Sequence, residues 1–328
     1  MENSTIIEVK NLVKKFNNLI AVNDISFTVK ENEIFGFLGP NGAGKTTTIN
    51  IICTLLPLNS GIVKLCGHDV TKERNHIRNS IGLVFQDPTL DDRLTAMENL
   101  VFHAYLYNVP RNQIKNRIDE LLEMVDLSKR KNDLVRTFSG GMRRRLEIAR
   151  GLIHYPKVLF LDEPTIGLDP QTRNKIWEYI TRLKHSKNIT IFLTTHYIEE
   201  SEICDRIAII DEGKIIALDS PDALKKMVGL DIITINSEDN KKLKLYLEEM
   251  LGKKIEITGN VEIRFDIKDS SKFIPEFIRK CPVKIISINA RRATLNDVFL
   301  SLTGKEIREE SAGEKDNLRM HMRGRMRR

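Results

Sequence analysis

Cysteine is scarce in this 328-residue chain: Cys53, Cys66, Cys204 and Cys281 lie far apart and no two of them form a CxxC pair. That spacing argues against a zinc ribbon or a disulfide framework and for isolated, reduced thiols. Long apolar runs are missing as well. The longest, Ile49 to Leu58, is interrupted by Pro57, whereas a bilayer span needs about 20 apolar residues. The opening Met-Glu-Asn-Ser-Thr has neither the basic nor the apolar region of a secretory signal. The chain is therefore expected to stay where it is made and to meet a membrane only at the surface or through a partner. Tandem repeats are also lacking. Hydrophobic residues at 41% and charged residues at 30% exclude wholesale disorder. The net charge of +7 would favour an anionic partner, but much of the excess is gathered in the last residues, ending Arg323-Gly324-Arg325-Met326-Arg327-Arg328.

Short β-rich runs alternate with helical stretches, which points to an α/β fold around a mainly parallel sheet. Ile34–Leu38 reads as a strand running into Gly39-Pro40-Asn41-Gly42-Ala43-Gly44-Lys45-Thr46, with a helix from Thr47 to Leu56. Ile81–Phe85 reads as a further strand. Ala96 to Leu127 reads as two amphipathic helices broken at Val109-Pro110, a helical insert outside the sheet. Ser139 is placed to cap a helix through Arg150. Val158–Leu161 and Thr190–Thr194 have the continuous apolar character of buried parallel strands, and Ile207–Leu218 reads as a hairpin turning at Asp211-Glu212-Gly213-Lys214. Beyond residue 230 a strand, a helix, two strands, a helix, a strand and a closing helix at Thr294–Leu302 predict a small βαββαβ, ferredoxin-like domain. The expected division is 1–230 for a large first domain with a helical subdomain at about 88–137, 231–305 for the small domain, and 306–328 for a polar, basic tail read as disordered.

Gly39 to Thr46 fits the phosphate-loop pattern G-x-x-x-x-G-K-[ST]. The glycines let backbone N–H groups close around a phosphate, and the following helix turns its positive end toward it. Lys45 can reach the β- and γ-phosphates and the Thr46 hydroxyl can ligate Mg²⁺; Thr47 continues the same helix start. Downstream, the strand Val158-Leu159-Phe160-Leu161 delivers Asp162 and Glu163 to the sheet edge where α/β proteins place ligands. Asp162 suits the Mg²⁺ shell and Glu163 suits a base for an attacking water.

Between these two elements lies Phe138-Ser139-Gly140-Gly141-Met142, and here the chain resembles the ATP-binding subunits of ABC transporters, whose signature reads LSGGQ. A serine hydroxyl, glycine N–H groups and a helix N-terminus together make an anion trap. The resemblance implies that Ser139, Gly140 and Gly141 engage the γ-phosphate of ATP held by the other subunit of a head-to-tail dimer. By the same resemblance Phe16 stacks on adenine with Val22 nearby, and Gln86 senses Mg²⁺ and water. Asp169 in Gly167-Leu168-Asp169 contacts the dimer partner, and His196 touches the γ-phosphate. The other six histidines read as structural or surface residues. The implied fold is a P-loop ATPase of the ABC type, with N-terminal antiparallel strands, a mainly parallel core and a helical insert.

The runs Phe138 to Glu147 and Thr165 to Pro170, with Ala293-Thr294-Leu295-Asn296-Asp297-Val298-Phe299, are similar to the daunorubicin-resistance branch, despite Met142 and Phe138 where the general signature has Gln and Leu. This implies ATP hydrolysis that drives export through a separate membrane permease, from the inner face of the cell membrane. The insert would receive the permease, with contacts near Leu90–Met97. Other cargoes in that branch are ions, lipids and polysaccharides. The basic charge leaves open a non-transport ATPase acting on nucleic acid or ribosomes. The segment between Lys45 and Ser139 is too short for the long coiled coil of DNA-repair relatives, and the chain holds one cassette rather than two, so no nucleic acid is expected. A regulatory module without turnover is disfavoured by the presence of Glu163 and His196. The tail could touch anionic lipid.

Overall fold

The computed structural model describes residues 4–228, 231–252, 254–258 and 262–304; the tail expected from residue 306 lies outside them. In chain order the first part comprises β1 (Thr5–Phe16), β2 (Leu19–Lys30), β3 (Ile34–Leu38), α1 (Lys45–Ile52), β4 (Ser60–Leu65), β5 (His68–Asp69), α2 (Arg74–Ser80), β6 (Ile81–Val84), α3 (Ala96–Leu106), α4 (Arg111–Met124) and α5 (Gly140–Gly151). It continues with β7 (Val158–Asp162), α6 (Pro170–Lys187), β8 (Thr190–Thr195), α7 (Ile198–Ser201), β9 (Arg206–Asp211) and β10 (Lys214–Asp219).

Two sheets share one core. The larger has the order β10-β9-β3-β8-β7-β6, with β9, β3, β8, β7 and β6 parallel and β10 closing a hairpin on β9. Every residue of β3, β7 and β8 is buried, as expected of strands covered on both faces. The second sheet, β2-β1-β4-β5, is antiparallel throughout. Its strands β1 and β2 meet through an Asn17-Asn18 turn in which Asn17 has φ 49°, and alternate residues of β2 point into the core. Phe27 from this sheet stacks on Phe35 of the other at 5.5 Å, Phe37 and Phe192 flank the pair, and Phe160 lies against Phe192. Each such ring withdraws enough apolar surface to contribute roughly 1.5–3 kcal/mol, so the sheets are clamped where β3 must deliver the phosphate loop.

The helical insert starts with a capping box, in which the Thr95 hydroxyl accepts from Glu98 N and the Glu98 carboxylate accepts from Thr95 N. Pro110 ends the link between α3 and α4, where its fixed φ suits a helix start. Helices α3 and α4 pack on α5. Helix α1 begins at Lys45 and ends at Ile52, shorter at its far end than the sequence predicts, because Thr54 takes φ 63°.

Contact density divides the described chain after Ser220, ten residues before the expected boundary. The second unit holds α8 (Pro221–Val228), β11 (Asp231–Ser237), α9 (Asn240–Leu251), β12 (Glu256–Thr258), β13 (Glu262–Ile267), α10 (Ser270–Lys280), β14 (Ile285–Arg292) and α11 (Leu295–Thr303). Its antiparallel sheet has the order β12-β13-β11-β14, and Ile233, Ile235, Leu243, Leu247, Phe273 and Phe277 form its core. Asp297 caps α11 and is gripped by Arg264 and Arg291. Burial raises its carboxyl pKa, but Arg291 and Thr294 outweigh that and hold it well below the usual carboxylate range. No helix among the described residues is long and apolar enough to cross a membrane.

Candidate nucleotide-binding site

The site grows from the C-terminal ends of β3, β7 and β8. Beyond Leu38 the chain loops through Gly39 to Gly44 and enters α1, with Gly44 at φ 102° as its N-cap. A Cβ on Gly44 would stand 2.4 Å from Ala21 O, so both conformation and space demand glycine there. Lys45 is buried, and its Nζ donates to Gly39 O at 2.7 Å and Pro40 O at 3.0 Å. Burial pulls its pKa down, and Glu163 opposes that by standing 3.3 Å away.

At the end of β7 the two acidic residues diverge. Asp162 accepts from the Thr46 hydroxyl at 3.2 Å and from the Thr194 hydroxyl. Burial raises its pKa, with the two threonines working in the opposite sense. Glu163 has φ 45°, a conformation uncommon outside glycine, and its N–H donates to Thr194 O and Oγ1, each at 3.1 Å. Its carboxylate gathers three groups, from the start of α1 and from the segments that follow β6 and β8. Lys45 Nζ lies 3.3 Å and His196 Nδ1 3.2 Å from Oε1, and Gln86 Nε2 donates to Oε2 at 3.2 Å. Burial alone would raise this carboxyl, but the His196 imidazole and the Lys45 charge prevail and hold it below its ordinary value. An anionic carboxylate in a mostly dry setting can accept a proton from water and order it.

These residues open on a cavity of about 530 Å³ lined by Phe16, Leu19, Asn41, Thr46, Gln86 and Glu163 among others. Phe16, at the end of β1, is 42% exposed with Lys14 Nζ 4.9 Å over its ring, so a planar face is left for a base to stack on. Val22 differs from expectation. It is fully buried and packs in the core behind Gly44, and the alternation along β2 gives the cavity wall to Leu19 and Ala21 instead.

Ser139 caps α5, its hydroxyl accepting from Met142 N at 3.3 Å. A Cβ on Gly141 would meet Thr172 Cγ2 at 2.3 Å, and the Thr172 N–H donates to Asp169 Oδ1 at 3.0 Å. The Ser139 turn and the Asp169 turn are thereby held against each other. Ser139, Gly140, Gly141 and Asp169 are not among the residues lining the cavity that holds Lys45. Two contributors escaped the sequence reading. Thr194 ties both acidic residues to β8, and Arg144 of α5 reaches the backbone carbonyls of the same turn. The period of α5 puts Arg144, Glu147 and Gly151 on one buried face, a signal masked by the run of three arginines.

A glycine loop opening a helix at the end of one parallel strand, with an acidic pair two strands away, defines a P-loop nucleoside triphosphatase. Comparison with known proteins refines this. Residues 22–166 match the family described as ABC transporter. The linearmycin resistance ATP-binding protein LnrL of Bacillus subtilis is 36% identical over 93% of this chain and 100% of its own length. The Nod factor export ATP-binding protein I of Burkholderia lata is 37% identical over 92% of this chain and 98% of its own. The daunorubicin/doxorubicin resistance ATP-binding protein DrrA of Streptomyces peucetius is 34% identical over 94% and 95%. Among solved structures, the ATP-binding cassette MJ0796, a dimer in a post-hydrolysis state bound to ADP and phosphate, superposes with a TM-score of 0.60 at 29% identity, covering 66% of this chain and 98% of that one. The chain belongs to the ABC transporter family as an ATP-binding subunit, an ATPase.

Proposed function

We propose that this subunit hydrolyses ATP between two copies of itself and so drives a separate permease that exports drugs or other hydrophobic compounds. The observation that carries the hydrolytic reading is the meeting of Lys45, Gln86 and His196 on the carboxylate of Glu163. Phosphoryl transfer asks a protein chiefly for positioning and charge neutralisation. Lys45 and the N–H groups of Gly42 to Thr46 receive the β- and γ-phosphates, and Phe16 receives the base. Glu163 accepts hydrogen from the attacking water, while Gln86 and His196 fix that carboxylate and the water. The Thr46 hydroxyl, Asp162 and the Gln86 amide form an all-oxygen set that suits Mg²⁺, and the Thr46–Asp162 hydrogen bond already brings two of those donors together. When bound, that cation neutralises charge on the phosphate oxygens.

Ser139, Gly140, Gly141 and Asp169 complete the site of a second copy, in keeping with their position away from their own chain's cavity. The permease would hold the subunit at the inner face of the membrane and seat on the helical insert, whose exposed apolar side chains run from Met97 to Leu106. Export is supported by relatives named for Nod factor export and for linearmycin and daunorubicin/doxorubicin resistance. Contact of the basic tail with anionic lipid is a further part of this reading, tested by liposome sedimentation of a chain cut after Arg308. The deciding experiment is Glu163→Gln: phosphate release should fall about 10²–10⁴-fold while ATP still binds and ATP-dependent dimers accumulate on gel filtration. Near-normal release would refute the role of Glu163.

A further inference from the structure

We infer that Arg144 is a positioning residue for hydrolysis, and that through it the helix bearing the Ser139 turn sets the carboxylate of its own subunit. The inference rests on the role of Glu163 proposed above. Helix α5 starts at the Ser139 cap, and less than two turns later it places the Arg144 guanidinium, 7% exposed, between the ends of β6 and β7. The ladder joining those strands stops at Val84 and Leu161. From there the guanidinium takes over as the bridge. Nη1 donates to Phe85 O at 2.5 Å, and Nη2 donates to Asp162 O and Glu163 O, both at 3.1 Å. Nε donates to Pro164 O at 2.6 Å.

The four acceptors belong to the residue before Gln86 and to three consecutive residues centred on Glu163. Glu163 sits at φ 45°, a conformation that persists only where its surroundings impose it, and Arg144 binds its carbonyl together with those on either side. A buried guanidinium also needs a counter-charge. Glu147 provides it at 2.9 Å, and its other oxygen accepts from Thr89 N at 2.8 Å, anchoring the far end of the Gln86 segment. A planar fork with five donors can serve divergent carbonyls at once, whereas an ammonium acts from a single point. The helix that offers an anion trap to a second copy thus also holds the base and the glutamine of its own site, and a shift of α5 at one end reaches Glu163 at the other.

Arg144→Lys keeps a cation opposite Glu147 and removes the fork. The expected result is a kcat lower by about 10- to 100-fold, the scale of an ångström-level misplacement, with KM for ATP within about threefold and the melting temperature within a few degrees. Combined with Glu163→Gln, it should lower the residual rate by no more than about twofold, because the group it positions is already disabled. Wild-type kcat in Arg144→Lys beside an inactive Glu163→Gln would overturn the positioning role alone, as would a full further loss in the double variant. Wild-type turnover in Glu163→Gln would instead sink the reading beneath it, and this inference with it. If Arg144→Lys does not fold, Arg144→Met with Glu147→Leu removes both charges together: a lowered kcat at unchanged KM supports the role, and a wild-type kcat overturns it.

Discussion

Lys45 and Glu163 face each other across 3.3 Å, each almost withdrawn from water. The carboxylate supports the lysine cation that burial disfavours, and it also occupies the charge that a phosphate would claim. Removing each partner should therefore move ATP affinity in opposite directions. Lys45→Ala forfeits charge-assisted hydrogen bonds, each worth about 1.5–3 kcal/mol, and should weaken ATP binding by roughly 10- to 100-fold. Glu163→Gln removes a competing anion and should tighten it. Titration calorimetry at fixed ionic strength measures both, and weaker binding in Glu163→Gln would contradict this view of the pair.

The placement of Ser139 and Lys45 permits a complementation test. Ser139→Ala loses the hydroxyl that caps α5, a change costing about 1 kcal/mol of stability, and it should inactivate only the site across the interface. Lys45→Ala should inactivate the site in its own chain. Each variant alone is then expected to be nearly inactive. A mixture of the two regains one intact site in each mixed dimer, built from the unaltered Lys45 of one chain and the unaltered Ser139 of the other. Phosphate release from the mixture should exceed the sum of the separate variants severalfold. A mixture no faster than that sum would show that the two residues do not serve one composite site.

Acid sensitivity should have an origin outside the nucleotide site. His154 joins the insert to the sheet: its ring stacks on Tyr107 at 3.8 Å, Nε2 meets Ile81 O at 2.8 Å, and Nδ1 is buried without a partner among the described residues. Burial pushes its pKa down to about 4, and burial does the same to His103 nearby. Both are below the ordinary 6.5, so the unfolded chain binds more protons between those values. The contribution to stability is complete above pH about 6.5 and drains away as the pH falls toward 4. His154→Phe keeps a ring against Tyr107 and cannot titrate, so its melting temperature should fall less steeply across that window. Parallel slopes for variant and wild type would rule out His154 as a source.

How far the sequence could be read depended on whether the chemistry was local. Gly39 to Thr46, the pair Asp162-Glu163 and the turn at Ser139 are contiguous strings, and backbone geometry alone decides what they can do. Strands β3, β7 and β8 were legible for a similar reason, since burial on both faces leaves an unbroken apolar run. Strands β1 and β2 were harder, because register shifts, with Asn11 at φ 49° and Asp24 at φ 55°, break the two-residue alternation. Helix α2 buries only Ile77 and so has no period to detect. Val22 was misjudged because two adjacent strand residues face opposite ways, and proximity in sequence to Phe16 does not tell which one faces the ligand. Arg144 was illegible for the opposite reason: its partners end two strands that meet only in the folded sheet.

The surface for the permease can be tested without touching the catalytic groups. On α3 Phe102, Tyr105 and Leu106 are 55%, 53% and 59% exposed, beside the exposed Leu55. Leu55, Leu106 and Tyr107 share with Phe85 the lining of a cavity of about 730 Å³. A cluster of large apolar side chains left in water marks a contact surface more often than it marks a solvent-facing helix. Phe85 immediately precedes Gln86 in the chain, so a helix pressed into that cavity would act directly on the segment that reaches Glu163. Phe102→Glu and Leu106→Glu add charge to the surface while leaving the buried face of α3, carried by Ala96, Asn99, Leu100 and Ala104, unchanged. ATP hydrolysis by the isolated subunit should stay within about twofold of wild type, because exposed substitutions rarely disturb a fold. Co-purification with a co-expressed permease, and substrate-stimulated hydrolysis in membranes, should both be lost. Retention of both by the double variant would move the docking surface elsewhere on the insert, toward Leu90 and Met97.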